Sequence, residues 1–221
     1  MQFHVVVNPA GASGRAWKLW EKLEPIFQQS EHEYILYRST RQKGITEICK
    51  EITSQGKEVR LIIIGGDGTV NEAVNGITDF EHTLFGFVPC GSGNDLALDL
   101  GLPKDKKEIV KQLLQGEVKR IQDVGEVVYF DREDKPHKRR FNISYGFGFD
   151  AEICAFVERS KLKKILNRIH LGKLIYLIQG IHVIFTTQLT PLELTYNEKT
   201  DSILKCLFVA GMNHCYEGGG F

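Results

Sequence analysis

The stretch VRLIIIGG, residues 59–66, constrains the fold of this chain more than any other. After Arg60 the apolar residues follow one another with no polar alternation, and two glycines end the run. A strand with one wet face alternates; this one predicts burial on both faces, as in a parallel sheet covered by helices. FHVVVN (3–8), EYILYRST (33–40) and HTLFGFVPCG (82–91) read as its neighbouring strands. GRAWKLWEKLEPIFQQ (14–29) spaces Trp17, Trp20, Leu23 and Phe27 at helical intervals, and KGITEICKEITSQGK (43–57) does the same with Ile45, Ile48, Cys49 and Ile52. TVNEAVNGI (69–77), NDLALDLGL (94–102) and DKKEIVKQLLQGEVK (105–119) complete the set of helices. Strands alternating with helices predict an α/β domain, a parallel sheet with helices on both faces.

The pattern changes near residue 123. VGEVVYFDRE, KRRFNISYGFGFDAE, TPLELTYNEKT and SILKCLFVAGM read as strands joined by polar turns, and DREDKPHKRR (131–140) as a hairpin-like loop. One long helical stretch, about 151 to 185, lies between those pairs. The expected division is therefore a first domain over 1–123 and a second over 124–221, mainly antiparallel β with a packed helix. The glycine triplet of YEGGGF at the end predicts that the natural protein continues, so the second domain is read as incomplete.

Composition narrows the function classes. The 28 basic and 28 acidic residues cancel, which gives no global pull toward nucleic acid or anionic lipid, so any phosphate site must be built locally. Five scattered cysteines without a paired spacing predict reduced thiols and a cytoplasmic protein. No signal peptide is read at the N-terminus. No apolar run reaches the roughly 18 residues of a spanning helix. The nearest, LIYLIQGIHVIF (174–185), is broken by Gln179, Gly180 and His182.

Three glycine turns, NPAGASG, GGDGT and PCGSGND, fall at expected strand ends. Parallel sheets bind ligands at those ends, where glycine lets backbone approach a phosphate and the next helix offers unpaired N–H groups. An aspartate inside such a turn would repel a bare phosphate. Asp67 fits if a magnesium ion, its water shell or a hydroxyl to be deprotonated lies between. The plainer alternative is a tight turn in which Asp67 caps the following helix. Asp95 in GSGND and Asp123 at the next junction add acids around one glycine-lined cleft, an arrangement that calls for a cation. There is no GxxxxGK[ST] and no GxGxxG after a strand, which disfavours a P-loop ATPase and a Rossmann dinucleotide site.

GGDGTVNEAVNGI (65–77) followed by PCGSGNDLALDLGLP (89–103) resembles the diacylglycerol kinase catalytic domain, and more closely the bacterial soluble lipid kinases and the sphingosine kinases. VVVNPAGASGRA (5–16) is similar to their NPxxGxG opening and STRQKG (39–44) to their Thr-x-x-x-Gly segment. VKRIQDVGEV (118–127) and NISYGFGFDAEI (142–153) resemble their domain crossing and second-domain entry. The resemblance implies an α/β nucleotide domain and a β-sandwich-like lipid domain, with ATP and Mg²⁺ as cofactors. By position it implies nucleotide contacts at Asn8, Thr40, Gly65, Gly66, Asp67, Gly68, Thr69 and Ser92. Asp67, Asp95 and Asp123 match a magnesium-linked acidic network, and Glu72 matches a loop-orienting glutamate. Arg15 stands where many relatives carry lysine, and Ser92 where threonine is commoner. The relatives also have a further C-terminal segment.

The implied function is Mg-dependent transfer of the ATP γ-phosphate to a lipid hydroxyl, with Asp67 acting on the acceptor. An NAD kinase relative and a catalytically inactive nucleotide-binding protein stand as alternatives. The partner is a lipid substrate, with no nucleic acid; a homodimer stays open. KLKKILNRIH (161–170) followed by LIYLIQGIHVIF (174–185), basic and then strongly apolar, reads either as a helix in peripheral contact with a membrane or as a core helix, the reading favoured here. His170, His182 and His214 read as isolated structural residues.

Overall fold

A computed structural model describes residues 1–149, 151–152 and 189–216. They fall into two compact units: Met1–Ile143 with the segment that begins at Asn213, and the described part of Ser144–Met212.

The first unit is built on four parallel strands, β1 (Gln2–Val7), β2 (Glu33–Arg38), β3 (Val59–Gly65) and β4 (Thr83–Pro89), in the order β2-β1-β3-β4. The period-2 alternation of a strand sends successive side chains to opposite faces. Val5, Val7, Ile62 and Ile64 pack under α1 (Arg15–Gln28) and α5 (Lys106–Leu114). Val6, Leu61 and Ile63 pack under α2 (Ile45–Thr53) and α3 (Asp67–Gly76). Every residue from Leu61 to Ile64 is buried, which is why β3 carries no polar alternation. Gly76 brings α3 against α2: a Cβ there would strike the Thr46 carbonyl. In α1, Trp20, Leu23 and Phe27 form the buried stripe, whereas Trp17 is half-buried and lies under the Arg38 guanidinium, 4.5 Å from the ring centroid. A side-chain oxygen of Asp105 accepts the Lys107 N–H at 2.9 Å and starts α5.

The hairpin β5 (Gly125–Phe130) and β6 (Pro136–Phe141) belongs to this unit, not to the second. Only 131–135 form its turn; Lys138, Arg139 and Arg140, which the sequence shared between a strand and the loop 131–140, are strand residues paired with β5. Asn75 of α3 docks the hairpin. Its Oδ1 accepts the Arg140 N–H at 2.9 Å, and its Nδ2 donates to the Arg140 carbonyl at 2.9 Å. The Arg140 guanidinium in turn donates to the Ile77 carbonyl at 2.7 Å, closing the C-terminal end of α3.

In the second unit β7 (Ser144–Gly148) pairs antiparallel with β10 (Phe208–Met212), and β8 (Thr190–Tyr196) with β9 (Lys199–Cys206). Asn197 and Glu198 both have positive φ, 46° and 64°, as a two-residue hairpin turn requires. The antiparallel character expected for the C-terminal region is present. The helix expected over about 151 to 185, with its basic stretch 161–170, lies almost wholly outside the described residues. Among the described residues no helix is long and apolar enough to cross a membrane.

Candidate functional site

All four parallel strands deliver their C-terminal ends to one edge of the sheet, so the turns after β1, β2, β3 and β4 share one rim. Two of these turns meet backbone to backbone. The Cys90 N–H donates to the Gly65 carbonyl at 2.8 Å, extending the β3–β4 ladder. Beyond it, a Cβ on Gly91 would lie 2.9 Å from the Gly66 Cα, and one on Gly66 would lie 3.1 Å from the Gly91 Cα. Glycine at both positions lets the GGDG and CGSGND turns touch. The Thr69 side chain is buried and sits directly over Gly65.

This contact brings Asp67 to α4 (Asp95–Asp99), the five-residue helix after the second turn. The Asp67 Oδ2 accepts the Asp95 N–H at 3.2 Å, and its Oδ1 accepts the Leu96 N–H at 3.4 Å. Asn94 enters α4 in the left-handed region, φ 58°, and its Nδ2 donates to the Gly91 carbonyl at 2.9 Å. Asp67 therefore caps a helix, but α4 on the neighbouring turn rather than its own α3. Asp95 is buried, 7% exposed. Burial, and then the Asp95 charge, push the Asp67 carboxyl above the ordinary carboxylate range, against the pull of the N–H groups of Asp95, Leu96 and Asn94.

The turns after β1 and β2 form a second part of the rim. The Asn8 carbonyl accepts the Gly11 N–H at 2.9 Å, and its Oδ1 accepts the Ala10 N–H at 3.2 Å. The Thr40 hydroxyl oxygen accepts the N–H groups of Gln42 and Lys43 at 3.3 and 3.1 Å. Asn8 and Ala10 on one side and Arg38, Thr40 and Arg41 on the other line a cavity of about 470 Å³. Arg15 is exposed, and its Nε donates to the Ala12 carbonyl at 2.9 Å.

The structure thus joins Asn8 to Thr40, and Gly65, Gly66, Asp67 and Thr69 to Asp95. Gly68, Ser92 and Glu72 are exposed; Gly68 and Ser92 lie in the two meeting turns and Glu72 a turn further along α3. Asp123 lies on a smaller cavity of about 170 Å³, with Arg120, Gln122, Asn213 and His214. Among the described residues no three His, Cys, Asp or Glu side chains form a group that could hold a metal. The Asp67–Asp95 pair still suits magnesium, which is commonly held by one or two carboxylates together with substrate phosphates and water. A cation would relieve the charge of this pair, of which Asp95 is buried and Asp67 half-buried.

Sequence reasoning missed Gly91, Asn75, Arg38 and Asp99, and read His214 as isolated, whereas it is bonded to Asp99. The His214 Nδ1 lies 2.7 Å from the Asp99 Oδ2, with side chains 3% and 9% exposed. They stand 115 residues apart, so no local pattern links them. Arg38 carries a weak signal, one residue before the STRQKG segment.

Four turns on one rim, an aspartate bridging two of them and a cavity between the other two define an α/β protein with a candidate ligand site at its strand ends. Residues 2–127 match the model of the diacylglycerol kinase catalytic domain, and the chain belongs to that family. Among curated relatives it is 28% identical to the Bacillus subtilis (strain 168) protein named "Putative lipid kinase YtlR", over 97% of this chain and 70% of that one. It is 28% identical to a "Diacylglycerol kinase" of the same strain, over 88% of this chain and 59% of that one. With the "Diacylglycerol kinase" of Staphylococcus saprophyticus it shares 26% identity, over 72% of this chain and 47% of the relative. The chain thus spans from about half to 70% of the length of these relatives. Solved structures from Bacillus anthracis str. Sterne, described as a diacylglycerol kinase or a putative one, superpose with TM-scores of 0.69 and 0.64 at 23% and 20% identity. They cover 99% of this chain and 68% and 65% of theirs. At that identity they show the shared fold. The curated relatives bear the names of a putative lipid kinase and of diacylglycerol kinases.

Proposed function

We propose that the protein transfers the γ-phosphate of ATP to the hydroxyl of a lipid, with Mg²⁺. The observation that carries this is the meeting of the GGDG and GSGND turns, which sets Asp67 against α4 and Asp95 on the same sheet edge as the Asn8–Thr40 cavity. The family assignment supports the same reading. Phosphoryl transfer asks for positioning and charge neutralisation more than for covalent chemistry, and a rim of backbone turns with a few fixed charges supplies both.

In this reading Asn8, Thr40, Gly65, Gly66, Gly68, Thr69 and Ser92 form the nucleotide-binding rim. Thr69 acts through its place over Gly65, and Glu72 orients α3. Asp67 and Asp95 would hold the magnesium, with Asp123 as a further acidic neighbour; the ion would neutralise phosphate charge during transfer. Asp67 has its carboxylate held in place by two backbone N–H groups, and its remaining lone pairs are free to take the acceptor's proton. Burial and the Asp95 charge raise its affinity for a proton. The region from residue 144 onward supplies the lipid site, and contact with a membrane surface belongs to the same proposal.

The test is incubation of the full-length protein with labelled ATP, Mg²⁺ and a total lipid extract, followed by mass identification of the product. A labelled phospholipid is expected. A labelled NADP formed instead from added NAD, or nucleotide binding with no labelled product at all, would contradict the lipid kinase reading.

A further inference from the structure

Nothing near His214 in the sequence marks it for a task, yet three consecutive residues there tie together the segments that carry the acids. The His214 Nδ1 meets the Asp99 Oδ2 at 2.7 Å, and the Cys215 N–H donates to the Asp99 Oδ1 at 3.3 Å. Arg120 reaches the same Oδ2 at 3.3 Å. One residue earlier the Asn213 Nδ2 donates to the Asp123 carbonyl at 3.0 Å, and the Asn213 N–H to the Ile143 carbonyl at 2.8 Å. Asp99 is the last residue of α4, Asp95 is its first, and its first N–H groups hold the Asp67 carboxylate. A helix of five residues is far too short to fix its own orientation. Leu96 anchors it from the core side, and Asp99 anchors its far end.

We infer that Asn213–Cys215 is a positioning strap for the acidic site: His214 sets α4, and with it Asp95 and the cap on Asp67, while Asn213 sets the backbone at Asp123. The inference rests on the proposed roles of these three acids. His214 and Asn213 act through other residues and are positioning residues. The His214–Asp99 bond is nearly buried, its side chains 3% and 9% exposed, and a charge-assisted bond of that kind holds an element more firmly than exposed pairs do. A displacement of about 1 Å in a site of this kind can cost on the order of 100-fold in rate.

The geometry separates the strap from plain fold stabilisation. Among the described residues only the Nδ1 edge of His214 is bonded, and its buried Nε2 has no partner there. An asparagine at 214 reproduces an Nδ1-like donor, and a glutamine reproduces an Nε2-like one. The experiment compares H214N, H214Q and H214A in the full-length protein. It measures kcat and the KM for ATP, together with hydrogen exchange at the Asp95 and Leu96 amides. In H214Q and H214A, kcat should fall at least about tenfold with the KM for ATP within about twofold, and both amides should exchange faster. H214N should recover most of the rate and the protection. Equal rates and equal exchange in H214N and H214Q would overturn the strap, as would normal turnover in H214A. If H214A does not fold, the comparison of H214N with H214Q still decides. A wild-type protein that phosphorylates no lipid would remove the lipid kinase reading, and the exchange comparison alone would then decide whether the strap exists.

Discussion

The Asp67 carboxylate accepts the backbone N–H of Asp95 at 3.2 Å, so the acid of one glycine turn caps the helix that starts from the next. The two turns are thereby one device. Gly66 and Gly91 allow the approach, and Asp67 locks it while keeping lone pairs for chemistry.

The first prediction concerns Asp67→Asn. Burial and the Asp95 charge raise the Asp67 pKa in the folded state. A raised carboxyl stabilises the fold below its unfolded pKa, and that contribution is lost as pH rises through the folded pKa. Wild type should therefore lose this contribution as pH rises through the folded pKa, and Asp67→Asn should lack that pH dependence, while its turnover falls by roughly 10²–10⁴-fold. Calorimetry and an ATP-dependent lipid phosphorylation assay check the two halves.

Gly91→Ala should separate the turns. The added Cβ would lie 2.9 Å from the Gly66 Cα, where only backbone could move to make room. Overpacking of this kind costs about 1–3 kcal/mol. Urea unfolding measures the loss, and weakened ATP binding should accompany it.

Asn75→Ala should loosen the β5–β6 hairpin from α3. It leaves the Arg140 N–H and carbonyl without the partners they have now, at a cost of about 1–3 kcal/mol. Hydrogen exchange at the Arg140 amide should rise sharply, with β3 unaffected.

The Asp99 carboxyl is held below the ordinary carboxylate range, first by the His214 hydrogen bond and then by the Cys215 N–H and nearby positive charge. The stabilisation it brings is present above the unfolded pKa and is lost as pH falls through the lower folded pKa. Acid unfolding of Asp99→Asn should therefore show a flatter loss of stability below about pH 4 than wild type, where unfolded aspartate begins to bind protons.

The sheet was legible because burial leaves a mark on every residue of a strand: Leu61 to Ile64 could not form an edge strand with one wet face. The helices of the first unit were legible for the same reason, through Trp20, Leu23 and Phe27 or Ile45, Ile48 and Ile52. The loop end was less legible: Lys138–Arg140 fit both the strand KRRFNISYGFGFDAE and a charged turn, because a strand needs only its backbone paired, and Asn75 supplies the outer pairing for Arg140. In the site, the glycines and acids of GGDG and GSGND stood out as a group. What they do to one another did not, because the cap on α4 depends on a contact between turns that only the folded sheet brings together. His214 and Asp99, 115 residues apart, lay beyond any periodicity or spacing argument.

The most direct test of the account is calorimetric titration of ATP into the full-length protein, wild type and Asp67→Asn, with Mg²⁺ and with chelator. Wild type should bind ATP tightly only with Mg²⁺, and the variant should lose most of that metal dependence. Wild-type binding that is unchanged by chelator, or an Asp67→Asn titration identical to wild type under both conditions, would contradict the placing of Asp67 beside a metal-bound nucleotide.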